Sequence, residues 1–214
     1  MALALKKVDY QRVLIDTANK PDWYMRDVNP HGTVPTLQVR AGPGRGDGVI
    51  ITDSEQACAF IDDKAHSVQL GFAEEIVPEL APKNLDEHQK QRLNDVIGGV
   101  FPAFAACVKN TEEAKVDELA VVLESKLTAL NDYLVENKPS MFLCGDTPTT
   151  HDCNLAPKLY HLRVVGSHLP AKKIRIPEKC AALSQYIRDI EAHPAFQETC
   201  YPEAVVMAGW SKFL

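Results

Sequence analysis

Leu119, Val122, Leu123, Leu127, Leu130 and Leu134 recur at three- and four-residue spacing along the stretch from about Glu113 to Val135. That is one face of a 3.6-residue helix, and a helix with a single apolar stripe must bury it against other elements. Its neighbours carry the same signal. A helix is expected from about Asp86 to Ala106, bent at Gly98-Gly99 or at Pro102. Thr149-x-x-Asp152 is a capping box that opens a helix running through Val165. Leu183, Tyr186, Ile187 and Ile190 mark a further helix, and a short one begins near His193-Pro194. The last two thirds of the chain therefore read as a helical domain.

The first third reads differently. Val8 to Ile15 is an extended-looking run, and Asn19 to Trp23 looks like a turn into a short helix. Thr36 to Val39 alternates with period two, and Val49-Ile50-Ile51 supplies a second strand, so the two form a hairpin. The glycine-rich loop between them, Ala41 to Gly48, joins two antiparallel strands and not a strand to a helix, so it is a turn and not a phosphate cradle. A helix follows from Thr52 to near Lys64, with Thr52 and Glu55 or Asp53 and Gln56 as its capping box and Ala57, Phe60 and Ile61 as its apolar stripe. Val77 to Asn84, with Pro78 and Pro82, reads as a linker. The expected organisation is a small mixed α/β domain over residues 1–76 and an all-helical domain over residues 77–214.

Charge and composition exclude several functions. Acidic residues exceed basic ones, the formal net charge is -6, and no Lys/Arg-rich run occurs, so nucleic acid is not an expected partner. The longest apolar stretch, Val96 to Val108, contains two glycines and Pro102 and falls short of the roughly 20 residues a membrane span needs. The opening residues, Met1 to Lys7, put their charges after the apolar residues, the reverse of a secretory signal, and look like the tail of a helix.

The six cysteines (Cys58, Cys107, Cys144, Cys153, Cys180, Cys200) are widely spaced, with no C-x-x-C pair, and read as buried reduced thiols. His151 and Cys153 near Cys144 lack the paired spacing of a zinc site, and no metal is expected.

Two segments sharpen the reading of the first domain: Gly32-Thr33-Val34-Pro35-Thr36-Leu37 and Thr52-Asp53-Ser54-Glu55. In the second domain the distinctive segments are Phe142-Leu143-Cys144-Gly145-Asp146, then Asp152 through Ala156-Pro157-Lys158-Leu159-Tyr160-His161, and the ending Val205 to Gly209-Trp210. With Asn19-Lys20-Pro21-Asp22-Trp23, the whole chain resembles the glutathione transferase superfamily, in its plant and algal dehydroascorbate reductase branch. The resemblance implies a thioredoxin-like N-terminal domain that lacks its first strand, followed by the superfamily's all-helical domain. It also implies glutathione as co-substrate, dehydroascorbate and ascorbate as further partners, a monomer, and a cytoplasmic or, with an upstream transit peptide, chloroplast location.

The resemblance assigns roles to individual residues. Val34 presents its backbone to the cysteinyl part of glutathione, with Pro35 cis. Asp53 and Ser54, at a helix N-terminus, meet the γ-glutamyl end, where free N–H groups and the positive end of the dipole attract an anion. Lys20 pairs with a glutathione carboxylate. His161 and Trp210 lie on the substrate side. Read from the residues alone, each has a plain alternative: a trans proline ending a turn, a capping pair, a surface lysine, and two packing residues.

Members of this superfamily carry Cys-Pro-Phe-Cys or Cys-Pro-Phe-Ser at the N-terminus of the first helix, where a thiol's pKa is lowered. Neither motif is present here. Ala2 to Val8 resembles the second half of that helix, so the nucleophile is expected upstream of Met1 and no catalytic residue is assigned within the chain. Cys58, on the apolar side of its helix, is read as core. The alternatives are a non-catalytic glutathione-binding protein similar to the chloride intracellular channel proteins, and a conjugating transferase using a hydroxyl.

Overall fold

The computed structural model describes residues 1–39, 48–63, 79–83, 85–137 and 140–213. They divide into two compact units, Ala2–Ala81 and Pro82–Leu214. The expected boundary between residues 76 and 77 and the loop residues 41–47 lie outside the described residues.

The first unit opens with the single helical turn α1 (Ala2–Leu5). Residues 8–16 then carry no regular element, and Val13 and Leu14 stand exposed. The extended run expected from Val8 to Ile15 thus forms no strand: the Val8 N–H turns back to the Leu3 carbonyl at 2.9 Å, and no strand pairs with the run among the described residues. A π-helical turn, Tyr24–Val28, leads into the hairpin. Strands β1 (Leu37–Val39) and β2 (Val49–Ile51) are antiparallel, with Leu37 opposite Ile51 and Val39 opposite Val49. Helix α2 (Ser54–Asp62) follows directly, capped by Asp53 and not Thr52, and it stops at Asp62 before the expected Lys64. Asp62 ties this unit together: Oδ1 takes the Lys6 ammonium at 2.6 Å and the Leu80 N–H at 2.7 Å, and Oδ2 takes the Ala81 N–H at 2.7 Å.

The second unit packs α3 (Glu87–Gly98), α4 (Val100–Lys109), α5 (Val116–Glu136), α6 (Thr150–His168), α7 (Ala181–Ala192), α8 (Pro194–Thr199) and α9 (Glu203–Trp210) around one core. The bend expected between Asp86 and Ala106 is a break at Gly99; Pro102 sits in the first turn of α4, where its missing N–H costs no helical bond. A 3-10 turn, Glu113–Lys115, precedes α5. Leu123, Leu127, Leu130 and Leu134 form its buried seam, but Val122 is turned out to solvent, which corrects its assignment to the stripe. Helix α6 continues three residues beyond the expected Val165.

Buried polar groups link these helices. The Asp152 carboxylate is fully buried: Oδ1 accepts from the Leu143 N–H at 3.1 Å and the Tyr186 hydroxyl at 2.9 Å, and Oδ2 from the Thr149 N–H and hydroxyl at 2.8 Å each. The expected capping box is therefore formed, and it also fastens α6 to α7. Asn131 on α5 accepts the Ala182 and Leu183 N–H groups at 3.1 and 3.2 Å, supplying the cap that Cys180 does not give to α7. Gly166 is required by close approach, since a Cβ there would lie 2.3 Å from the Ile174 carbonyl oxygen. No helix among the described residues is long and apolar enough to cross a membrane.

Candidate functional site

Two buried side chains shape the turn that leads into Pro35. Tyr24 donates its hydroxyl to the Thr33 carbonyl at 2.5 Å and lies 2.8 Å from Thr36 Oγ1. Asn29 Nδ2 donates to the same carbonyl at 2.8 Å and to Thr33 Oγ1 at 3.0 Å, while its Oδ1 accepts the His31 N–H at 3.1 Å. Buried polar groups with their bonds made hold one loop conformation, because any other leaves them unpaired.

Gly32 stands inside this turn at φ +65°, in the left-handed region. A Cβ here would lie 2.8 Å from Met25 Sδ and 3.1 Å from Lys20 Cδ. Glycine therefore lets the aliphatic stem of Lys20 press against the backbone two residues before Val34. Lys20 is half-buried, and its ammonium meets no partner among the described residues.

The Val34–Pro35 peptide is cis, as the resemblance implies. Val34 is 47 % exposed, and its backbone N–H and C=O are unpaired among the described residues. The hairpin register sets Leu37 opposite Ile51, and carried two residues further it brings Pro35 and Asp53 to the same end of the ribbon.

Asp53 and Ser54 lie at the N-terminus of α2 and are exposed. Asp53 Oδ1 accepts the Glu55 and Gln56 N–H groups at 3.0 and 2.9 Å. Two of the donors of the first turn are thus already used, which narrows the expected anion site to the N–H and hydroxyl of Ser54, with Asp53 Oδ2 beside them. Lys20, Val34, Pro35, Asp53 and Ser54 all belong to the first unit.

His161 and Trp210 belong to the second unit, where the structure brings them together. They line a cavity of about 310 Å³ with Phe101, Val205, Lys212 and Phe213. Trp210 is buried, its ring 5.1 Å from Phe104 in an edge-on arrangement and 6.1 Å from Phe101. Its indole N–H donates to His161 Nδ1 at 3.2 Å. Burial lowers the His161 pKa below the ordinary 6.5, so the imidazole is neutral at pH 7.

Residues 1–64 match the family model for the glutathione S-transferase N-terminal domain, and residues 113–189 match that for the C-terminal domain. The chain is 30% identical over 210 residues to glutathione S-transferase DHAR2 of Arabidopsis thaliana, covering 98% of this chain and 84% of that one. The chain belongs to the glutathione S-transferase family. The crystal structure of Chlamydomonas reinhardtii dehydroascorbate reductase superposes with a TM-score of 0.72 at 27% identity, covering 100% of this chain and 86% of that one. Human chloride intracellular channel protein 3 is 27% identical over 223 residues, covering 98% of this chain and 85% of that protein. The fold is accordingly that of a glutathione S-transferase, a thioredoxin-like unit with a small two-stranded sheet and a helical unit.

No disulfide joins the cysteines of this glutathione S-transferase chain among the described residues. Burial pushes up the pKa of Cys58 and Cys107, and takes Cys144 to about 11. Cys180 is fully buried against the Leu127 carbonyl. Tyr24 and Asn29, which hold the turn before Pro35, were not singled out from sequence. Asn29-Pro30 signals a turn, but which carbonyl the amide grips depends on where Thr33 returns in space. Phe101, Val205 and Phe213 were missed because apolar residues on helices read as core.

Proposed function

We propose that the Ala2–Ala81 unit binds glutathione and that the protein serves in the glutathione-dependent reduction of dehydroascorbate to ascorbate. The observation that carries this reading is the unpaired backbone edge of Val34, standing at the same end of the hairpin as the start of α2. An extended peptide adds to such an edge by main-chain hydrogen bonds. Around it stand groups that complement the charged ends of the tripeptide. The Lys20 ammonium suits a carboxylate, the Ser54 N–H and hydroxyl suit the γ-glutamyl carboxylate, and Asp53 Oδ2 suits the adjacent ammonium. The Arabidopsis and Chlamydomonas relatives support the choice of reaction by their names.

In that reaction two glutathione thiols become one disulfide, and the two electrons and two protons they release convert dehydroascorbate to ascorbate. It proceeds through a protein thiolate that glutathione regenerates. Cys58, Cys107 and Cys144 are unsuited to that part, because burial disfavours their thiolates. The reading assigns this chain's residues to binding and not to nucleophilic attack.

Calorimetry with glutathione tests the binding step. Uptake is expected for the chain, and Lys20→Ala or Ser54→Ala is expected to weaken it about tenfold, the scale of one charge-assisted hydrogen bond. Asp53→Asn keeps an oxygen to cap α2 and removes the charge, so unchanged affinity would reduce Asp53 to a cap. No uptake at all would end the reading.

The raised thiols and the match to human chloride intracellular channel protein 3 favour a second reading, a glutathione-binding protein without turnover. Assaying dehydroascorbate reduction by the chain, and by a version extended with whatever the transcript encodes upstream, separates the two. Turnover in either form excludes the binding-only role.

A further inference from the structure

The cavity of the second unit is walled by Phe101, Val205, Trp210 and Phe213, and its polar groups are few. His161 is one of them, and its ring nitrogens are not equivalent. An indole N–H can only donate, so the Nδ1 that receives it at 3.2 Å must carry a lone pair and no proton. A neutral imidazole has one proton, which then resides on Nε2.

We propose that Trp210 is a positioning residue that fixes His161 in its Nε2–H tautomer, so that Nε2–H joins the Lys212 ammonium and Tyr201 hydroxyl of the wall as a donor to a ligand carbonyl oxygen. Trp210 is well placed for this. Its ring is held edge-on to Phe104 at 5.1 Å and beside Phe213 at 5.8 Å, so the indole N–H cannot swing away without breaking aromatic packing. Free imidazole exchanges its proton between the two nitrogens; here one of them is occupied by a donor that cannot accept.

The surrounding charges do not compete for that proton. No acidic side chain lines the cavity among the described residues. Lys212 and Tyr201 complete its wall, Lys109 Nζ lies 5.0 Å above the Phe213 ring, and Lys158, one turn before His161 on α6, donates to Asn154 Oδ1 at 2.5 Å. Glu203 is engaged by Arg163 at 3.3 Å. Burial is the sole cause of the lowered His161 pKa, in keeping with a neutral ring. The ligand class that follows is a compact ring bearing carbonyl groups, and dehydroascorbate serves as the probe. That choice of probe rests on the proposed reaction; the tautomer does not.

The test is long-range proton–nitrogen NMR on the full chain with ring-labelled histidine, the His161 signals being assigned through His161→Gln. An acceptor-type Nδ1 and a protonated Nε2 are expected at pH 7.5. In Trp210→Phe, which keeps a ring and removes the donor, the two nitrogens should average toward each other and the His161 pKa should rise. If that variant does not fold, the wild type still decides. Its Trp210 indole N–H resonance should move as His161 titrates, because a doubly protonated imidazole cannot accept it. Added dehydroascorbate should shift Nε2 and leave Nδ1 in place. A protonated Nδ1 in the wild type, unaltered nitrogens in Trp210→Phe, or a probe that moves Nδ1 or neither nitrogen would overturn the proposal. None of the tautomer measurements needs glutathione, so failure of the tripeptide to bind would remove the proposed function and leave this result standing.

Discussion

Lys6 Nζ lies 2.6 Å from Asp62 Oδ1, with the lysine side chain only 2 % exposed and the aspartate 11 %. The pair joins the end of α1 to the end of α2, and the same carboxylate holds the Leu80 and Ala81 N–H groups. Removing one partner of a buried pair strands the other charge, so Asp62→Ala should destabilise the Ala2–Ala81 unit by about 3–5 kcal/mol. Burial alone would raise the Asp62 pKa, but the Leu80, Lys6 and Ala81 donors outweigh it and hold it below the ordinary 3.8. The folded state therefore takes up this proton at lower pH than the unfolded chain. The contribution is complete above 3.8 and is lost as pH falls through the folded value. Acid unfolding followed by circular dichroism should show that loss in the wild type and not in Asp62→Ala.

Asn29 donates to both the carbonyl and the hydroxyl of Thr33. Asn29→Ala leaves the Thr33 carbonyl with one donor fewer and removes a buried amide that bonds three groups of the turn, and it should cost about 1–3 kcal/mol of stability in urea unfolding. It should also weaken glutathione binding, although Asn29 is itself buried behind the turn. Unchanged affinity in a folded Asn29→Ala protein would mean that the turn before Pro35 does not need this clamp.

Gly32→Ala places a Cβ 2.8 Å from Met25 Sδ at a left-handed backbone position. The backbone term alone is about 1–3 kcal/mol. Because Lys20 Cδ is the next contact at 3.1 Å, the substitution should also displace the lysine and lower glutathione affinity, an effect that should largely vanish in the Lys20→Ala background. A double-mutant cycle measures the coupling; strict additivity would show that Gly32 and Lys20 act independently.

Tyr186 is wholly buried, and its hydroxyl donates to Asp152 Oδ1 at 2.9 Å. Desolvation, together with the neighbouring carboxylate, pushes the phenol pKa far above its usual 10.0, so this bond persists through the whole neutral and mildly alkaline range. Tyr186→Phe removes one of four donors to Asp152 and should cost about 1.5–3 kcal/mol, whereas Asp152→Ala strips four groups of their acceptor and should cost more than any single donor. Thermal unfolding of the two variants gives the ranking.

His161 contributes its own pH dependence. Its folded pKa lies below 6.5, so the unfolded chain binds the proton first as pH falls. Stability should decline from about pH 6.5 down to the folded value, and His161→Gln should flatten that part of the profile. A wild-type profile level across this window would contradict a buried neutral imidazole.

The helical unit was legible in sequence because its signals are local. The Thr149-x-x-Asp152 box and the Leu183, Tyr186, Ile187, Ile190 stripe need only residues within a turn or two of one another. Val122 was misread for the same reason: its spacing fits the stripe of α5, but which arc of that helix faces the core is decided by α3, α4 and α7.

The amino-acid order by itself determined the helices, the hairpin and the family resemblance, since each rests on periodicity, capping chemistry or a contiguous motif. Only the tertiary structure decided that Lys6 is buried on Asp62, that Tyr24 and Asn29 grip one carbonyl, and that Trp210 donates to His161 across 49 residues of chain. Hydrogen bonds and ion pairs between distant residues depend on distances of a few tenths of an ångström, and no local pattern encodes those until the helices and turns have packed.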